Sequence, residues 1–439
     1  SQDSIRAISA SGGQITAVTT IDRKNGELYH AWPQFLPDGE HFLYLANKDT
    51  TQSSDNFDVK VGSLNSKESK TLMTVNTLVR YSRQGYILFV REKILLAQRF
   101  DSDNLELVGE PVPITDKVRI SGMARANFSL SDEGTLVLQN ESSSQQTLLK
   151  WFDRSGRELG VVGEPAHYVD ANLSPDETKI AFVMEDEKNR NYDIWIYDLN
   201  RNAASRLTFD PGDELFPRWS PDGNEVYYYI GALPRMHAYT KLANGSSDAN
   251  KIAWPDSLQM FITDISSDGS RFCNSVIKSS QVDVQVFQLA NDTPITSVTT
   301  STFFEFGGQF SPDDQYVAFV GNESGKFEIY VKRSDGTGGK WQVSVNGGAS
   351  HDWSADGKEM FYWALDNTLM AVSVNTKGGF QAGTPKKLFK QSSIQFEQPS
   401  QAWDVTKDGQ RFLVVAPLET AQQPTFDVVL NWTAGLESK

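Results

Sequence analysis

The stretch RWSPDGNEVYYYI, Arg218–Ile230, decides how the rest of the chain is read. Its centre, Trp219-Ser-Pro-Asp-Gly223, is a tight reversal: Pro presets φ, Asp bonds the local backbone, and Gly accepts positive φ. The run after it, Glu225–Ile230, is β-branched and aromatic, which predicts a strand leaving the turn. One hairpin corner is therefore written into thirteen residues.

The phrase returns along the chain as FLPDG ending at Gly39, LSPDE at Glu177, ISSDG at Gly269, FSPDD at Asp314, WSADG at Gly357 and VTKDG at Gly409, with weaker copies YSRQG at Gly85 and LSDEG at Gly134. Successive copies end 46, 49, 43, 46, 46, 45, 43 and 52 residues apart. Each is followed by a second strand and then by an alternating third, as in DIWIYDL from Asp193, DVQVFQL from Asp283 and EIYVKRS from Glu328. A short fourth follows, as in SRLT at Ser205 and WQVSV at Trp341. No segment keeps a helical period. Four antiparallel strands per 40 to 50 residues predict an all-β chain, a closed β-propeller of four-stranded blades. Nine blades are preferred, with eight as the alternative count.

The constant period and the lack of a Pro/Gly/Ser linker argue against two β-sandwiches. The expectation is one domain over 1–439, with units near 32–78, 79–125, 126–169, 170–214, 215–260, 261–305, 306–348, 349–398, and 399–439 joined by 1–31. The last unit supplies Trp403-Asp-Val, FLVV from Phe412 and DVVLNW from Asp427, and then the chain ends. QITAVT from Gln14 is expected to complete that blade and so remove the open edges. The strand-like Ile5–Ser9 duplicates the role of DVVLNW.

The chain has 56 acidic against 41 basic residues, a formal charge of -15, which disfavours nucleic acid or an anionic membrane surface as partner. Its single cysteine, Cys273, excludes an internal disulfide. No apolar run approaches the roughly 18 to 20 residues that span a bilayer. The start, without Met and with a strand-like segment almost at once, predicts a piece of something longer.

SPDG units followed by xIWxxDL and xxLT resemble the TolB-type, WD-like propeller repeats of bacteria over the whole chain. WPQFLPDGEHFLY from Trp32, LLAQRFD from Leu95, GEPVPI from Gly109, LLKWFDRSGRELG from Leu148, GKWQVS from Gly339 and VVLNWTAGL from Val428 are more specific. In that order they resemble the C-terminal propeller of bacterial eukaryotic-like serine/threonine kinases. That resemblance implies a periplasmic or extracellular sensor fragment behind a transmembrane segment that precedes residue 1. No kinase motif stands in the chain itself, and the glycine-rich SDGTGGKW around Gly338 lacks a phosphate loop's context.

Neither the GxSxG elbow of a peptidase nor a sialidase box is present. His30, His41, His167, His237 and His351 have no ligand-spaced partners, so neither metal nor cofactor is expected. The turn-aligned columns carry more. Immediately before the Ser position stand Phe35, Tyr81, Leu130, Leu173, Trp219, Ile265, Phe310, Trp353 and Val405, all apolar and expected between blades. One residue earlier stand Gln34, Arg80, Ser129, Asn172, Arg218, Asp264, Gln309, Asp352 and Asp404, all polar. Strand alternation turns this second column away from the first, toward the channel. A water-filled channel explains it without a ligand. As a recognition ring, Arg80 and Arg218 hold a carboxylate or phosphate, and the three aspartates meet hydroxyls or a cation.

The leading expectation is a non-catalytic sensor that recognises a polar small molecule, peptide or envelope protein at the channel mouth. A TolB-like envelope scaffold is the alternative, and a propeller hydrolase or lyase the third reading.

Overall fold

The computed structural model describes residues 4–48, 57–91, 94–115, 118–121, 125–139, 146–186, 191–232, 235–254, 259–278, 281–288, 294–391, 402–418 and 426–436. It is nearly all β, built of antiparallel sheets that mostly have four strands. Every one of the nine turn phrases joins two paired strands. We number the sheets 1 to 9 in the chain order of these turns.

The Gly223 turn shows why the phrase folds locally. The Ser220 hydroxyl donates to Asp222 Oδ1 at 2.6 Å, and Asp222 accepts the Asn224 N–H at 3.0 Å. Ser220 Oγ also accepts the Glu225 N–H at 2.9 Å. These donors hold the Asp222 carboxyl below its usual range, the Ser220 bond first. Gly223 sits at φ 71°, a conformation open to glycine without steric cost.

The chain folds as two compact units, residues 145–420 and residues 1–144 with 421–439. The nine turns are divided six and three between them. In the larger unit each sheet buries a face against the next. Ile194 and Ile196 of sheet 4 meet Val226 and Tyr228 of sheet 5, and Tyr229 of sheet 5 meets Phe261 and Phe272 of sheet 6. Val284 and Val286 of sheet 6 meet Phe319 of sheet 7, whose Val331 meets Tyr362 of sheet 8. Trp363 of sheet 8 packs on Trp403 of sheet 9, and Leu413 of sheet 9 returns to Ile180 and Phe182 of sheet 4. Six sheets thus form a cycle.

The strand that closes this cycle is not the expected one. Arg411–Pro417 pairs over seven residues with Thr147–Asp153, not with Asp427 and its neighbours. Phe426–Val429 lies instead against Leu136–Gln139 as the third strand of sheet 3. The longer apolar run wins: TLLKWFD buries Leu149 and Phe152 in the cores on either side of sheet 9, a larger apolar area than four residues of FDVV offer. The N-terminal QITAVT does not complete the last blade either, since its only strand, Thr16–Ala17, pairs with Arg6–Ala7.

The smaller unit packs sheets 1, 2 and 3 around one core that includes Leu43, Val61, Leu88, Leu138 and Trp432. The other face of sheet 1, with Phe42 and Tyr44, is covered by Ile5 and Val18 of the N-terminal segment. Thr19 anchors that segment: its hydroxyl meets His30 Nδ1 at 2.8 Å and accepts the Ile5 N–H at 2.9 Å. His30 Nε2 lies 3.0 Å from Glu27, which Lys60 also pairs. Phe35 departs from its expected place: it is exposed, and Leu36 enters the core because FLPDG carries Leu where the other turns carry a Ser or Thr hydroxyl.

Candidate functional site

The polar column falls into two groups. Gln34, Arg80 and Ser129 lie in the smaller unit, and Asn172, Arg218, Asp264, Gln309, Asp352 and Asp404 in the larger one. Gln34 spans two sheets: its amide accepts the Tyr81 N–H at 2.9 Å and donates to the Tyr81 carbonyl at 3.0 Å. Arg80 is half-buried, and Ser129 is exposed on sheet 3.

The six in the larger unit stand on the first strand of each sheet, one residue before its apolar packing residue, and they converge. Arg218 reaches both neighbours, with Nη1 donating to Asn172 Oδ1 at 3.3 Å and Nε donating to the Thr263 carbonyl at 3.1 Å. Asp264 accepts the Phe310 N–H at 2.7 Å, and Asp404 accepts the Leu173 N–H at 2.7 Å. Asp352 accepts the N–H of Trp353 at 2.8 Å. Four of the column, with Gln34, therefore bond a neighbouring sheet. Charge-assisted bonds of this kind contribute about 1.5–3 kcal/mol each. The column is first of all a set of stitches between sheets.

It also concentrates charge where water is scarce. Desolvation pushes Asp264 up to about 7, against the donors from Phe310 and Ile265. Asp404 is raised to about 6, again by desolvation first. Asp352 lies well above the carboxylate range, through desolvation first and then the nearby Asp404 charge. Arg218 favours the charged forms of Asp264 and Asp404. His351, adjacent in sequence, is buried on the other face of its strand; burial lowers it to about 4, leaving it neutral.

A cleft of about 170 Å³ opens where the turns of sheets 4, 8 and 9 meet, lined by Leu173, Glu177, Trp353, Asp404 and Lys407 among others. Of the column only Asp404 reaches it. Glu177, Trp353 and Lys407 were not singled out as polar site residues, although LSPDE signals Glu177 by placing a side chain where the other copies mostly have Gly. Glu177 takes φ 57° and its carboxylate accepts the Lys407 N–H. The hydroxyl of Ser174 donates to Asp176 Oδ1 at 2.6 Å within its own turn. Among the described residues no three His, Cys, Asp or Glu side chains are placed to hold a metal ion. What the arrangement offers is charged hydrogen-bonding groups beside an indole.

No family model matches the chain. It is 28% identical over 119 residues to the Tol-Pal system protein TolB of Helicobacter pylori strain 26695, covering 27% of this chain and 28% of that protein. The corresponding protein of strain J99 is 27% identical over the same length. The chain thus spans little more than a quarter of the curated relatives it matches. A solved structure assigned as a TolB, from Agrobacterium tumefaciens, superposes with a TM-score of 0.50 at 16% identity, covering 63% of this chain and 99% of that one. The fold is that of a TolB-like β-propeller. No helix among the described residues is long and apolar enough to cross a membrane.

Proposed function

We propose that this TolB-like chain is a non-catalytic scaffold of the cell envelope, acting in the periplasm, that docks a protein at the turn end of its six-sheet unit. The observation that carries the reading is the stitching of the polar column. Asp264, Asp404 and Arg218 bond the neighbouring sheets, so they serve rigidity before chemistry. A rigid face ringed by turns suits a docking partner. The partial identity to the Tol-Pal system protein supports the envelope setting. The receptor-kinase sensor rests on short sequence phrases alone and receives nothing from the comparisons, so the scaffold is preferred to it.

The test is a peptide array and a glycan array probed with the purified chain and with Lys407→Ala, whose side chain is exposed at the cleft. Peptide binding that weakens tenfold or more in the variant is the expected result. Glycan binding, or cleavage of any arrayed glycan, overturns the scaffold reading.

A further inference from the structure

The repeat provides an internal control for one half-buried cation. In sheet 7 the first strand begins with Glu305, which is buried, and Lys340 Nζ donates to its Oε1 at 3.0 Å. The same ammonium pairs Glu323 and stands 4.9 Å from the Tyr330 ring centre and 6.0 Å from that of Phe319. Those two rings are stacked, 5.9 Å apart and 27° between planes.

Sheet 5 builds the same place. Its first strand begins with the buried Glu214, five residues before Trp219 as Glu305 is before Phe310. Tyr228 and Tyr239 stack at 6.1 Å and 26°, matching Phe319 and Tyr330. The fourth strands pair alike, Tyr239 with Lys251 as Tyr330 with Gln342, and Thr240 with Asn250 as Val331 with Trp341. That register sets Ala249 where sheet 7 has Lys340.

The ammonium is therefore missing while the buried glutamate and the stacked rings remain. Among the described residues no cationic side chain pairs with Glu214: Arg206 is engaged with Asp193 and Asp186, and Lys241 stands over Phe209. Glu214 Oε2 and Asp193 Oδ2 are buried and lack a donor of normal geometry, while Glu214 Oε1 accepts the Asp210 N–H at 3.3 Å and Thr208 also bonds the Glu214 carboxylate. Asp210, exposed, adds its charge beside Tyr228 and Tyr239. We propose that sheet 5 carries a site for a primary alkylammonium group, bound by Glu214, Asp193 and Asp210 against the faces of Tyr228 and Tyr239. The ligand is a free amine or a lysine side chain of another protein; carboxylates and stacked rings recognise the shared head group. Desolvation, with the neighbouring Asp193 adding to it, raises Glu214 to about 8. Ala249 itself is exposed, on the side from which a ligand would enter.

The experiment follows thermal unfolding of the full chain with butylammonium chloride, against sodium chloride at equal ionic strength. The expected result is a saturable rise in Tm for the wild type. It disappears in Ala249→Lys, whose own ammonium fills the place and whose unliganded Tm exceeds wild type, and it is lost in Glu214→Gln. No rise, or an equal rise in wild type and Ala249→Lys, overturns the site. A rise with calcium chloride and none with butylammonium overturns the ammonium class. Nα-acetyl-lysinamide in parallel separates the two sources: a rise equal to that of butylammonium points to a protein lysine, and a smaller one to a free amine.

Discussion

The two units solve the same problem differently. In the larger one every sheet has a neighbour on both sides, because Thr147–Asp153 pairs with Arg411–Pro417 and makes the last sheet from both ends of the segment. The smaller unit has three sheets that carry the turn phrase, the first and last of them ends. At sheet 1 the end is covered by the N-terminal segment, through Ile5, Val18 and the Thr19–His30 contact. At sheet 3 the third strand leaves Phe426, Val428 and Leu430 more than half exposed. A repeat that closes needs only its own side chains, whereas one that does not must recruit a cap. Loss of a closing contact should therefore cost more than loss of a capping one.

Trp403→Ala tests the first half of that statement. The indole is fully buried, meets Trp363 edge to face at 6.1 Å and donates to Ser350 Oγ at 2.8 Å, all between sheets 8 and 9. Truncation is expected to cost about 3–5 kcal/mol, read as a fall in the urea midpoint of the larger unit. Thr19→Val tests the second half. It leaves the His30 ring and the Ile5 N–H without their partner, at about 1–3 kcal/mol. Hydrogen exchange should accelerate in residues 4–19 and stay unchanged in 145–420. Faster exchange throughout would mean that the cap supports more than its own sheet.

Why the sequence showed nine hairpins and not their division is a matter of range. A turn such as Ser220–Gly223 is closed by bonds within five residues, so composition at each site is enough to announce it. Which strand closes a sheet depends on competition between segments hundreds of residues apart, and TLLKWFD and FDVVLN both look like third strands locally. The polar column was legible as alternation, because Asn172 or Asp404 must point away from Leu173 or Val405. Its use was not, because the partners are backbone groups of the next sheet, and any residue there presents the same N–H. The sequence thus offered a water-filled channel or a ligand ring for the column, and the structure adds its bonds between sheets.

The stitches predict a pH effect confined to the six-sheet unit. Asp264 is raised to about 7 and Asp404 to about 6, while an unfolded Asp titrates near 3.9. Between those values the folded state holds protons that the unfolded chain has lost, so stability is full below about pH 4 on this account and falls as pH rises to about 7. Urea midpoints should decline from pH 5 to pH 8 in the wild type and decline less in Asp264→Asn. An equal decline in both would place the titration elsewhere.

The smallest effect concerns the turns themselves. Where the preceding turn carries Pro, its ring leaves no N–H to meet: Gly223 follows Pro175, Gly269 follows Pro221 and Gly357 follows Pro312, with 3.5 to 4.0 Å between the proline ring and the place of a Cβ. Where the preceding turn has an N–H, an acidic residue can replace glycine and use it. Asp314 accepts the Ser267 N–H at 3.1 Å, and Glu177 accepts that of Lys407, across the closing sheet. Each pays for a left-handed φ of 57° with that bond. Strain of order 1 kcal/mol against a charged hydrogen bond of similar size leaves Glu177→Gly within about 0.5–1 kcal/mol of wild type. Lys407→Pro should destabilise the wild type, because the Glu177 carboxylate then faces a ring, and should be neutral or stabilising beside Glu177→Gly, which restores the Pro175 and Gly223 arrangement. The coupling in that double-mutant cycle measures the closing contact alone. A coupling of zero would mean that the six-sheet cycle is held by its cores and its strand pairing, with the turns merely following.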